Sequence, residues 1–159
     1  MVPIWVLVAD EERARILELR AQDGELAEVE ELTDAGAHAD EADLRRDALG
    51  RRGGGSSIAS TTQSASEDKL QIEAERFARR VADHLTQAHR RRRYERLRIA
   101  AAPAFLGRLR KQLDDEVKAT LIDETDKDYV HLDKRALTHA LFPDGVAELQ
   151  AQPSRGRQR

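Results

Sequence analysis

The chain has 159 residues, of which 27 are basic and 30 acidic, so its formal net charge at pH 7 is −3. This length predicts one domain, and 40% apolar beside 36% charged residues predicts that part of the chain is solvated loop or tail. The lack of cysteine excludes disulfides, thiolate metal sites and a cysteine nucleophile. Because no apolar run approaches the ~20 residues that cross a bilayer, and no signal-peptide pattern opens the chain, we expect a soluble cytoplasmic protein without membrane contact.

Charge is distributed unevenly along the chain. Residues 1–43 contain 3 basic and 13 acidic residues, residues 44–111 contain 17 and 7, and residues 112–159 contain 7 and 10. The middle third is therefore basic enough to bind a polyanion although the pI is near 6.0, whereas the first third would repel one.

The first third predicts three consecutive strands. Residues 4–9 form a continuous apolar run, which is typical of a strand buried on both faces. Residues 15–20 predict a second strand, and Gly24 predicts a turn after it because glycine adopts positive φ at no steric cost. Residues 25–32 predict the returning strand of an N-terminal meander.

Residues 33–66 predict a long flexible loop. Three larger aliphatic side chains occur there, and the segment is rich in glycine, arginine and serine. A loop of this length inside a compact domain is usually functional or disordered.

A helix is predicted after this loop. Ser64 and Glu67 have the spacing of a capping box, which indicates a helix start. The apolar residues that follow recur at steps of four and three and form one stripe, made of Leu70, Ala74, Phe77, Val81, Leu85 and Ala88.

The second half alternates between strand and helix patterns. The predicted elements are a strand at 97–102, a helix at 105–113, a strand at 117–122 and a short helix at 133–141. This alternation predicts parallel strands joined by right-handed crossovers. We therefore predict an α/β fold, with a single three-layer domain over residues 1–150, a mixed sheet of about five strands and helices packed on it. Residues 151–159 predict a disordered basic tail.

Several short phrases, in this order, resemble one protein family. They include Trp5-Val6-Leu7-Val8-Ala9-Asp10, Gly50-Arg51, Ala102-Pro103 and Lys127-Asp128-Tyr129. Over roughly residues 4–141 the chain resembles the bacterial family of proteins required for attachment to host cells. The residues that we take as its motif are Asp10, Arg15, Asp47, Gly50, Pro103, Gly107, Arg110, Lys127 and Asp128.

The resemblance also implies a fold and a chemistry. That family is considered similar to the middle, catalytic domain of archaeal and eukaryotic peptide-release factors, in which a Gly-Gly-Gln loop helps water cleave the peptidyl-tRNA ester. Here Gly53-Gly54-Gly55 is followed by Ser56, and the nearest glutamine is Gln63. The motif is incomplete, so hydrolase activity does not carry over and the question of an enzyme stays open.

Two basic segments are candidate nucleic-acid-binding sites. In the loop, glycine lets backbone N–H groups approach phosphate while arginine grips it bidentately, and the candidates are Arg51, Arg52, Gly53, Gly54 and Gly55. The densest basic run could neutralise phosphates, with an aromatic ring to stack on a base, and its members are Arg90, Arg91, Arg92, Arg93, Tyr94 and Arg96. The alternatives are a solvated linker and an exposed helix end.

Carboxylates at strand ends are a weaker candidate. Asp10, Asp126 and Asp128 fall at or beyond predicted strand ends, where open α/β sheets bind ligands and where oxygen ligands suit a divalent ion. Polar turn and cap residues are the alternative reading. The five histidines show no metal-ligand spacing, so we predict neither a metal nor a cofactor.

Three functions follow as hypotheses. The first is an RNA-associated factor that binds tRNA or the ribosome through the two basic segments. The second is a hydrolase of peptidyl or aminoacyl ester bonds. The third is a protein-interaction factor, in attachment or stress, whose acidic first third contacts a basic partner.

Overall fold

The computed structural model describes residues 3–20, 24–34 and 56–143, with the side chains of residues 56–64 excepted. The strands are β1 (Ile4–Ala9), β2 (Arg13–Arg20), β3 (Glu25–Thr33), β4 (Arg96–Ala101) and β5 (Leu121–Thr125). The helices are α1 (Ser56–Arg90), α2 (Pro103–Gln112), α3 (Asp115–Lys118) and α4 (Lys134–Leu141). Residues 35–55 of the predicted loop and the predicted tail at 151–159 lie outside the described residues.

The strands form one mixed sheet in the order β3-β2-β1-β4-β5. β1, β2 and β3 make an antiparallel meander, whereas β4 and β5 run parallel to β1. β1 is the central strand and all six of its residues are buried, as its continuous apolar run predicts. The mixed five-stranded sheet is therefore confirmed.

Each face of the sheet carries its own apolar cluster, because side chains alternate along a strand. Trp5 and Leu7 of β1 belong to the cluster that includes residues of α1, α2 and α3. Val6 and Val8 belong to the opposite cluster, which includes residues of α4. Helices thus cover both faces, and the predicted three-layer α/β architecture is confirmed.

α1 is the longest element, with 35 residues and a length of about 52 Å. It begins at Ser56, earlier than the capping signal at Ser64 indicates. Its predicted apolar stripe is buried from Ala74 to Ala88, whereas Leu70 is 40% exposed. Among the side chains described for α1, packing onto the sheet therefore starts at Ala74. None of the described helices has both the length and the apolar composition that crossing a bilayer requires.

The strand predicted at residues 117–122 begins too early. Asp115–Lys118 is the short helix α3, and β5 starts at Leu121. Two acidic residues lie in the first turn of α3, where negative charge complements the helix dipole. Val117, which lies on this helical turn, is fully buried. Its β-branched side chain therefore packs in the core without extending the strand.

Candidate functional site

Four consecutive arginines, Arg90–Arg93, close the C-terminus of α1 and form what we call the arginine corner. The backbone N–H of Arg93 donates to the Ala88 carbonyl at 3.0 Å, and that of Arg92 donates to the His89 carbonyl at 2.9 Å. This pair of bonds is a Schellman ending, in which Arg92 occupies the left-handed region at φ 58°. The chain leaves the helix axis there, and the arginines reach different surroundings.

Two arginines of the corner contact the body of the domain. Arg90 Nε donates to a Glu116 carboxylate oxygen at 2.9 Å, which ties α1 to α3. The Arg93 guanidinium lies 5.1 Å from the centre of the Trp5 ring, within the range of a cation–π contact. Arg96, partly buried at the start of β4, also has an interaction partner.

The other two arginines of the corner, Arg91 and Arg92, are exposed. The side chain of neither makes a hydrogen bond or an ion pair with any residue that the structure describes. Two neighbouring guanidinium groups in this state carry full positive charge into the solvent. They are the part of the basic run that is best placed to meet a phosphate.

Tyr94 does not lie on the surface. It is 1% exposed, its ring stacks on Trp5 with centroids 4.9 Å apart, and its hydroxyl donates to the Leu85 carbonyl at 2.7 Å. Burial raises the pKa of this hydroxyl well above its ordinary value. The expectation that Tyr94 stacks on a base is therefore wrong, because the ring is part of the core beneath the arginine corner.

Three arginines that are absent from the sequence candidates lie on the outer face of α1. Arg76, Arg79 and Arg80 are exposed and share one helix face with Arg90, since 14 residues are close to four helical turns. This face lies opposite the buried side of the helix, and we call the four residues the arginine ridge. The signal that would have found it is helical spacing among the arginines of the basic middle third.

A groove of about 370 Å³ lies beside the ridge, between α1 and Leu32 of β3. Arg80 donates to the Thr33 carbonyl at 3.0 Å and so connects the helix to the end of β3. Arg76 pairs loosely with Glu73 at 3.6 Å, and Arg79 has no ion pair with a described residue. The ridge therefore presents exposed cations next to a concave surface.

Much of the acidic charge on β3 is satisfied within the domain. Its carboxylates pair with basic side chains of β2, Arg13 with Glu31 at 2.6 Å and Arg15 with Glu28 at 2.5 Å. His84 Nε2 of α1 lies 2.8 Å from a Glu30 carboxylate oxygen. These contacts reduce the negative field that the first third of the chain presents to a polyanion. They also leave less unpaired negative charge to contact the basic protein partner that the sequence suggested.

Polar residues meet at the carboxyl edge of the parallel strands. Asp10 follows β1, and its Oδ1 accepts from the backbone N–H groups of Glu12 and Arg13. One ligand atom from each of Asp10, Asp128 and His131 lies within 4.8 Å of the others. Asp10 and Asp128, two of the three carboxylates that the sequence offered as a weak candidate, therefore lie close together, and His131 joins them. Carboxylate and imidazole groups suit a divalent cation, but His131 is 75% exposed and Asp10 already caps a turn, so we do not assign a metal site.

Arg15 holds the loop that carries this cluster. Its side chain is 7% exposed, and Nη1 donates to the carbonyls of Val130 at 2.8 Å and Leu132 at 2.5 Å. The same guanidinium pairs with Glu28. These bonds fix the backbone on both sides of His131, which gives the motif residue Arg15 a structural role.

The other motif residues in the described ranges surround this edge. Pro103 occupies the first turn of α2, where its missing N–H costs nothing. Gly107 lies in the same helix, and Arg110 pairs with Glu124 of β5 at 2.6 Å. Lys127 is exposed beside Asp128.

Several candidates lie outside the described residues. These are Asp47 and Gly50 of the motif, and Arg51, Arg52, Gly53, Gly54 and Gly55 of the loop.

The fold and the sites together define an α/β protein with a mixed five-stranded sheet and a basic outer helix face. The chain belongs to the family of proteins required for attachment to host cells, whose family model matches residues 5–141. The match extends from β1 to α4, so the resemblance seen in the sequence is confirmed at the level of the family. No curated protein matches the chain.

Proposed function

We propose that the protein is an RNA-associated factor that binds tRNA or the ribosome through the arginine corner, without cleaving an ester bond. The observation that carries the proposal is the pair Arg91 and Arg92, two exposed cations without ion-pair partners among the described residues. Arginines of this kind neutralise phosphates and release counterions, which gives affinity that does not depend on base sequence.

The proposal includes the similarity to the catalytic domain of release factors, for which the support is the sequence resemblance alone. Ser56, which follows the three glycines, is the first residue of α1. A serine at a helix start does not supply the side-chain amide of the Gly-Gly-Gln motif. Binding without hydrolysis is therefore the form of the proposal that fits these residues.

A sucrose gradient of the tagged full chain tests the proposal at about 50 and about 200 mM salt. We expect sedimentation with ribosomes or tRNA at low salt and release at high salt. The double variant Arg91→Ala with Arg92→Ala should remain with free protein at both concentrations. The matched control, Lys134→Ala with Arg135→Ala, removes two exposed charges from α4 on the opposite face of the sheet and should behave as wild type.

Two results would contradict the proposal. One is sedimentation that does not change with salt, and the other is an equal effect of both double variants. A stoichiometric partner that survives nuclease treatment would instead support the protein-interaction function.

One observation favours hydrolysis of peptidyl or aminoacyl esters as a second function. Asp10, Asp128 and His131 bring two carboxylates and an imidazole together at the carboxyl edge. These groups can accept a proton from a water molecule, or hold a cation that binds the water. Turnover of peptidyl-tRNA by the wild type, lost in His131→Gln, would support this function. No turnover above background would remove it.

A further inference from the structure

We infer that α1 recognises the phosphate backbone of double-helical RNA, and not exposed bases, along the arginine ridge as well as at the arginine corner. This inference rests on the proposed function and specifies that the RNA ligand is double-helical.

The ridge is long enough to contact several phosphates of a duplex. Arg76 and Arg90 are 14 residues apart on one face of a continuous helix, which places them about 21 Å from each other. Their side chains are 74% and 65% exposed. Double-stranded DNA carries one phosphate charge per about 1.7 Å of its axis, and an A-form RNA duplex, with its shorter rise, carries them at least as densely, so at least about a dozen phosphate charges fall within this span. Arg91 and Arg92 follow Arg90 in the chain, where the helix ends.

The burial of the Phe, Tyr and Trp rings argues against binding of single strands by base stacking on these rings. All six aromatic residues of the chain lie within the described ranges. Five are at most 5% exposed, and these are Trp5, Phe77, Tyr94, Phe105 and Phe142. The sixth, Tyr129, is half-buried against the cluster beneath α4. Proteins that bind single strands stack bases on exposed aromatic rings, whereas duplexes are bound through phosphates and shape.

Arg79 and Arg76 are the residues that best test the ridge. Arg79 has no ion pair with a described residue, and Arg76 has one weak exposed pair with Glu73. Arg80 is unsuitable because it also holds the Thr33 carbonyl. Glutamine keeps the helix propensity and most of the side-chain length of arginine, so Arg76→Gln with Arg79→Gln removes charge with little effect on folding.

The experiment measures affinity of the full chain for an RNA duplex of about 16 bp and for one of its strands, chosen so that it cannot self-pair. We expect the duplex to bind at least about tenfold more tightly at about 50 mM salt. Changing Arg76 and Arg79 to glutamine should weaken duplex binding about tenfold and reduce the slope of log affinity against log salt by about 2. The control variant Lys134→Gln with Arg135→Gln should leave both values unchanged.

The outcomes separate the inference from the proposed function. A single strand that binds as tightly as the duplex, or a ridge variant that matches the control, overturns the inference while RNA binding itself stands. Absence of binding to both RNAs, to tRNA and to ribosomes overturns the proposed function. A DNA duplex that competes equally with the RNA duplex supports recognition of the duplex backbone and contradicts the assignment to RNA.

Discussion

At the scale of single residues, Arg92 adopts a conformation that glycine would adopt at lower cost. Its φ of 58° brings Cβ close to the backbone, and non-glycine residues in this region lose about 1 kcal/mol. We expect Arg92→Gly to raise the free energy of unfolding by about 0.5–1 kcal/mol in urea titrations and at the same time to weaken RNA binding.

The adjacent arginine is the matched control for this prediction. Arg91 has a negative φ, since Arg92 is the single positive-φ residue other than glycine in the described ranges. Arg91→Gly should therefore lower stability while it weakens RNA binding to a similar degree. If both glycine variants shift stability in the same direction, backbone strain at Arg92 is not the cause.

Tyr94 links stability to alkaline pH. Burial raises the pKa of its hydroxyl in the folded state, so the folded chain keeps a proton that the unfolded chain loses above about pH 10. The free energy of unfolding should then fall by about 1.4 kcal/mol per pH unit as the pH rises from the tyrosine pKa of the unfolded chain towards the raised pKa of Tyr94 in the folded chain.

Tyr94→Phe isolates this effect. At neutral pH the variant should lose about 1 kcal/mol, because the Leu85 carbonyl loses its hydroxyl donor. Its loss of stability between about pH 9 and about pH 11 should be smaller than that of the wild type by the amount due to Tyr94. Parallel pH curves for the two proteins would contradict the prediction.

At the scale of elements, α2 contains a glycine that its packing does not require. A Cβ placed at Gly107 would meet nothing within 4 Å among the described residues, and the position is interior to the helix. Gly107→Ala should therefore raise the thermal midpoint, since alanine is more favourable in a helix by about 1 kcal/mol. A lower midpoint would show that this motif residue serves a local contact. Unchanged stability with weaker RNA binding would show that a ligand approaches it.

The residue patterns of the individual helices and strands explain which of them could be predicted from the sequence. β1 was clear because burial on both faces produces a continuous apolar run. The early start of α1 was missed because Ser, Thr and Gln residues carry no apolar period. Val117 suggested a strand by its branching, while the acidic turn before it set a helix.

At the scale of the whole molecule, contacts between distant segments decided which candidate residues are accessible. The arginine corner was visible in the sequence as four consecutive arginines, whereas the residues of the ridge are spread over several turns of α1. Tyr94 was misread because its burial depends on Trp5, from another strand. His131 joins Asp10 at a loop that Arg15 holds from β2, and no local pattern encodes such a meeting.

The stacking of Arg93 on Trp5 gives the protein an optical probe of its own. Trp5 is the single tryptophan of the chain, fully buried, with a cation 5.1 Å from its ring centre. Indole emission responds to charges at this distance, so a phosphate that draws Arg93 outward should change the fluorescence of the unlabelled protein. A titration with RNA that saturates without such a change would place the contact away from Arg93. Tryptophan fluorescence can therefore report whether a ligand displaces Arg93 from Trp5.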